Sequence, residues 1–101
     1  MGWAAHHIAK LQKGEVVQFR PHGHSMTGKI ESGQLVTIEP LLMATTLEPG
    51  DIVLCKVKGN EYVHLISAVR DRQYQISNNR GHVNGWVTRG AIFGKCVRVE
   101  P

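Results

Sequence analysis

Cysteine is scarce in this chain: only Cys55 and Cys96 are present, and neither belongs to a Cys-x-x-Cys. That excludes a disulfide-rich scaffold and the common cysteine zinc sites. Both residues lie in apolar, strand-like stretches and are expected to be reduced core residues. No apolar run approaches the roughly 20 residues that cross a bilayer. The first residues lack the apolar stretch of a secretory leader, and His6 stands where a myristoylation signal needs Ser or Thr. The expectation is a soluble, cytoplasmic protein with no membrane span. Runs of like charge are missing too. Twelve Lys and Arg stand against eight Asp and Glu, a net +4, but the positives are scattered from Lys10 to Arg98. Such a surface permits nucleic-acid contact without specifying it. There is no repeat and no low-complexity tract.

What is present suits one folded domain. The chain has 101 residues, 42% of them hydrophobic and 20% charged, enough apolar surface for a core and too little charge for disorder. Residues 1–14 read as an N-terminal helical segment, and 15–101 as a β-domain. Trp3, His7 or Ile8, and Leu11 share a helical stripe, with Gly14 as its C-terminal stop. Val16–Arg20 reads as a strand, and Pro21–Gly28 is rich in turn residues. Gln34–Glu39 is a strand, Glu48-Pro49-Gly50-Asp51 a turn, and Ile52–Val57 a buried strand. Lys58-Gly59-Asn60 makes a hairpin turn, and Glu61–Val69 returns. Gln73–Ile76 is a further strand, and Asn78–Gly81 breaks the pattern. Trp86-Val87 and Ala91–Phe93 are short apolar pieces, with Trp86 read as a core or cleft-wall aromatic. Gly94–Val99 closes the chain. Many short strands at close spacing predict a mainly β, small barrel-like fold.

The candidate chemistry is a serine on a glycine-containing turn, Gly23-His24-Ser25-Met26, and a lone histidine ending Tyr62-Val63-His64. An imidazole within reach of a serine hydroxyl can take its proton and later return it, and histidine titrates near neutral pH without help. Backbone N–H groups of the turn around Gly23, His24, Ser25 and Met26 can hold an oxyanion. Met26 is expected to plug the core beneath that turn. His22, His24 and His82 raise the question of a metal, since alternate residues of a strand share a face. No Cys or carboxylate completes that set, so no metal or cofactor is expected.

The blocks Gly23-His24-Ser25-Met26 followed by Ile30-Glu31-Ser32-Gly33-Gln34-Leu35-Val36, then Pro49-Gly50-Asp51-Ile52-Val53, Tyr62-Val63-His64-Leu65-Ile66, Asn78-Asn79 and Gly94-Lys95-Cys96-Val97 stand in the order of a known family. Together they resemble the LexA-type and signal-peptidase-type serine peptidases. The likeness spans residues 16–99 and implies that family's β-fold. It implies Ser25 as nucleophile and His64 as general base, where many members have Lys and one branch of the signal peptidases has His. It also implies small residues at the scissile site and suggests a homodimer through the closing strand.

Three positions depart from the pattern. Gly28 stands where Pro is usual, Gln34 replaces an acidic residue, and Asn78-Asn79 occupies the place of an orienting Asp. Asn78, Asn79 and Asp51 are the candidates to orient the base, and Asp51 is also a natural turn former. The helical start is too short for a DNA-binding helix-turn-helix, which argues against regulated self-cleavage. The expected function is a serine endopeptidase acting through a Ser25/His64 dyad on an extended peptide or protein substrate. The alternative is an inactive peptidase-fold module that binds a protein partner or nucleic acid.

Overall fold

The computed structural model describes residues 2–101. Helix α1 (Ala5–Gln12) precedes seven strands: β1 (Val17–Phe19), β2 (Leu35–Pro40), β3 (Ile52–Val57), β4 (Asn60–Arg70), β5 (Gln73–Ser77), β6 (Val83–Thr88) and β7 (Ile92–Glu100). The protein is mainly β, as the pattern predicts. The strands form one sheet in the order β1-β2-β7-β3-β4-β5-β6, with every neighbouring pair antiparallel. Strands β1 and β6 are its two edges and do not pair with each other. The hydrogen-bonded ladder is therefore open, where a barrel-like closure was expected. Among the described residues no helix is long and apolar enough to cross a membrane.

The near-continuous apolar run of β3 has a simple cause. Leu54 enters one core with Ile8, Leu11, Met26, Val36 and Ile38. Val53, Cys55 and Val57 enter a second with Ile66, Ile76 and Ile92. A strand covered on both faces cannot alternate. Both cysteines are free. Burial pushes the Cys55 thiol up to about 12, so it is an inert core residue. Cys96 is only half-buried.

Helix α1 buries Ile8 and Leu11, and Ala4 just before it is buried too, while Trp3 is 55% exposed; the buried stripe is displaced from the one expected. Its end is a Schellman stop. The Glu15 N–H donates to the Lys10 carbonyl and the Gly14 N–H to the Leu11 carbonyl, each at 3.0 Å, with Gly14 at φ +85°. Its start is capped from a distance. The Ala4 N–H donates to Glu61 Oε1 at 2.8 Å, which places a carboxylate at the positive end of the helix.

Register breaks interrupt four of the strand pairs. Each adds a residue to one strand and increases the local twist. Strand β7 passes between β2 and β3 through Gly94, and only glycine fits there. A Cβ would lie 2.5 Å from Ile38 Cγ2 and 2.7 Å from the Glu39 carbonyl oxygen. Gly94→Ala is expected to destabilise the fold by about 1–3 kcal/mol through overpacking. Urea unfolding checks this as a lower midpoint at unchanged slope.

Candidate active site

The serine-bearing segment is a loop pinched at its base. The Arg20 guanidinium donates to the Gly33 carbonyl at 2.8 Å, and the Gly33 N–H to the Pro21 carbonyl at 2.9 Å. Met26 and Ile30 are buried and anchor the loop in the α1-side core, so Met26 is the plug its sequence position predicts. The far side is held by Asn79. Its backbone N–H donates to the Ser25 carbonyl at 2.8 Å and its amide Nδ2 to the Thr27 carbonyl at 2.8 Å.

Both departures from the family pattern in this loop have local explanations. Gly28 has φ +98°, which proline cannot adopt, and a Cβ there would lie 3.1 Å from Asn79 Nδ2. Gln34 Oε1 accepts the Glu31 N–H at 2.7 Å. Asp51 Oδ2 accepts the Glu48 N–H at 2.8 Å in the same three-residue arrangement. An amide oxygen thus does in the first turn what a carboxylate does in the second.

Strand β4 brings the histidine to this loop. His64 lies opposite Val53 of β3 and is buried, 6% exposed. Tyr62, two residues earlier on the same face, stacks on its ring at 4.7 Å between centroids. His64 Nε2 stands 3.2 Å from Ser25 Oγ. The two residues that the sequence pairs therefore meet at hydrogen-bond distance. The serine is exposed and the imidazole is not, an arrangement that leaves the hydroxyl accessible.

The hydrogen-bond partner on the other side of the ring is Asn84, a residue not singled out in the sequence. His64 Nδ1 lies 2.6 Å from Asn84 Oδ1. An amide oxygen there accepts the Nδ1 proton and leaves the Nε2 lone pair to face the serine hydroxyl, the tautomer that a base requires. A bulge aims Asn84. The β5/β6 register runs Ile76 opposite Gly85 and Ser77 opposite Val83, so Asn84 is the extra residue of its strand. Gly85 beside it has φ +149°. Bulges of this kind turn a side chain out of its regular direction.

The three candidates singled out in the sequence lie elsewhere. Asn78 Oδ1 accepts the Arg80 and His82 N–H groups, each at 2.9 Å. Asn79 braces the serine loop. Asp51 closes its own turn and pairs with Lys95 at 3.4 Å. None of their hydrogen bonds involves His64. Trp86 is no cleft wall; it lies on the exposed edge strand under the Arg70 guanidinium, 5.1 Å from the ring centroid.

Electrostatics favour the neutral His64 ring. Burial pulls the His64 pKa below its ordinary value; the Asn84 hydrogen bond opposes that and the nearby His82 adds to it. The ring is therefore unprotonated at neutral pH. For the oxyanion, the Gly23 N–H is already bonded to Ser32 Oγ at 3.0 Å, which removes it from the donors. The Ser25 N–H makes no hydrogen bond among the described residues, which keeps it available. His24 is exposed, and its carbonyl accepts the Thr27 hydroxyl at 2.9 Å. Among the described residues no three His, Cys, Asp or Glu side chains gather at metal-binding spacing, so His22, His24 and His82 are not assembled into one site.

Ser25 and His64 share a cavity of about 460 Å³ that extends toward Trp3 and Phe19. One of its sides is an open strand edge. β5 pairs with β4 only from Leu65 onward, so residues 60–64 have β3 on one side and no strand on the other. Backbone groups of an antiparallel strand alternate between its two neighbours. Ile66 bonds to residues 50 and 51 on the β3 side, while the Glu61 carbonyl accepts the Trp3 indole N–H on the other at 3.3 Å. By that alternation Val63 turns its N–H and C=O to the open edge, and Val63 lines the cavity.

Compared with protein-family models and with curated proteins, the chain matches none.

Proposed function

We propose that this protein is a serine endopeptidase of the LexA/signal-peptidase type in which Ser25, His64 and Asn84 act as nucleophile, base and orienting residue. The observation that carries the reading is the relay itself: Ser25 Oγ to His64 Nε2 at 3.2 Å and His64 Nδ1 to Asn84 Oδ1 at 2.6 Å. Ser25 Oγ attacks the scissile carbonyl carbon as its proton passes to His64 Nε2. The oxyanion is met by the Ser25 N–H. Collapse breaks the C–N bond, and His64 gives its proton to the departing amine. A water then attacks the acyl-serine ester, its proton going first to His64 and then to the released Ser25 oxygen. The substrate is an extended peptide that adds a strand at Val63, where main-chain groups stand unpaired beside the nucleophile.

Intact-mass analysis with a small alkyl fluorophosphonate tests the reading. The expected result is one stoichiometric adduct, mapped to Ser25 and lost in Ser25→Ala. Equal labelling of both proteins, or of neither, would sink it. In that case a salt-dependent affinity for DNA or RNA would identify the chain as a binding module instead.

A further inference from the structure

We infer that the cavity beside Ser25 is the pocket for a large apolar or aromatic substrate side chain, carried by the residue whose carbonyl Ser25 attacks. This rests on the peptidase reading and departs from the small-residue preference that the family likeness implies.

The cavity holds about 460 Å³, and its wall includes Trp3, Phe19, Met26, Ile30, Tyr62 and Val63. A methyl group would leave such a space almost empty; the volume falls in the range that encloses whole apolar ligands. Part of the wall is prearranged. The Trp3 and Phe19 rings meet edge to face at 5.6 Å, and His7 stacks on Phe19 at 4.4 Å.

The charged groups of the lining are already engaged. Glu61 accepts the Ala4 N–H, Glu31 Oε2 accepts the Gly28 N–H at 2.8 Å, and Arg20 donates to the Gly33 carbonyl. None of these bonds needs a charged occupant to complete it. Burial lowers the His7 pKa, with His6 and Lys10 adding to the effect, so the His7 ring brings no charge to this wall at neutral pH. An uncharged, bulky side chain is what such a surface binds.

Position follows from the backbone. A peptide paired to the open edge at Val63 runs past Ser25, and Ser25 itself lines the cavity. The side chain nearest that opening belongs to the residue whose carbonyl carbon lies at Ser25 Oγ.

Two peptidyl diphenyl phosphonates that differ only in Phe or Ala at that residue provide the test. Ser25 Oγ forms a bond to phosphorus and phenoxide leaves, so the second-order inactivation rate reads occupancy of the pocket. The Phe compound is expected to react at least about tenfold faster. The small fluorophosphonate, which carries no side chain, is run in parallel. Equal rates, or a faster Ala compound, with the fluorophosphonate adduct still on Ser25, would overturn the pocket assignment and leave the peptidase reading standing. No adduct from any of the three would overturn both.

Discussion

His64→Ala is expected to slow fluorophosphonate labelling of Ser25 by about 10²–10⁴-fold, the usual contribution of a positioned general base. The protein would keep its fold, because the substitution empties a space at the cavity rim instead of stranding a charge. The more telling result is the pH profile. Labelling needs His64 neutral, and burial places its pKa below the ordinary value of 6.5. The sign follows directly: the protonated, inactive form accumulates only as pH falls, so the rate rises through a midpoint below 6.5 and is flat from there through neutrality. His64→Ala would remove that limb altogether. A lower rate with the same midpoint would mean that another group serves as base. A midpoint above 6.5 in the unaltered protein would contradict the buried, neutral imidazole.

The second large effect concerns Asn84. Asn84→Leu removes the hydrogen bond to His64 Nδ1 and is expected to cost about 10²-fold in labelling rate, since a ring free to turn loses its near-attack geometry. Asn84→Asp acts in the opposite direction. A carboxylate accepts the same Nδ1 proton and also stabilises the imidazolium that forms as serine is deprotonated. A hydrogen bond to a charged partner contributes about 1.5–3 kcal/mol, against about 0.5–1.5 for a neutral one. That difference corresponds to a gain of roughly tenfold. The negative charge favours the protonated ring, so the midpoint of the pH profile moves up relative to Asn84. A purely structural asparagine would tolerate neither change in this pattern: both variants would fall in rate and neither would shift the midpoint. A rate gain without a midpoint shift would likewise contradict direct contact between position 84 and the base.

The neutral amide has a consequence for the chemistry. It selects the tautomer without offsetting charge, so on the proposed reading His64 would be a correctly presented base of modest strength. Proximity and the Ser25 N–H would then carry a larger share of the proposed acceleration. Gln34 shows the same economy in a structural setting, with an amide oxygen closing a turn that a carboxylate could close.

Local chemistry was legible in the residue order. The run Ile52–Val57 is β3 to the residue, because six largely apolar residues between a Pro-Gly-Asp turn and a Lys-Gly turn leave few alternatives. The stop at Gly14 and the plug at Met26 follow from equally local rules. Elsewhere the boundaries moved for stated reasons. The short apolar piece Trp86-Val87 belongs to a longer strand, β6, which starts before Asn84-Gly85 because a bulge accommodates both the extra residue and the positive φ of Gly85. Trp86, read as a core or cleft-wall aromatic, lies on the outer edge strand, where Arg70 covers it. The helix stripe moved from Trp3 to Ala4, and the distant Glu61 holds that start in place.

The sequence by itself determined a mainly β chain with a short capped helix, and it singled out one serine and one histidine as a candidate pair, which the fold brings to hydrogen-bond distance. Turn residues, apolar runs and side-chain acid–base character act over a few positions, so they can be read in order along the chain. Only the tertiary structure decided that the sheet stays open, that a broad apolar cavity adjoins Ser25, and that Asn84 rather than Asn78, Asn79 or Asp51 faces the imidazole. Those outcomes depend on strand register. A single extra residue in β6 redirects one side chain, and nothing local to Asn84 records which distant ring it will meet.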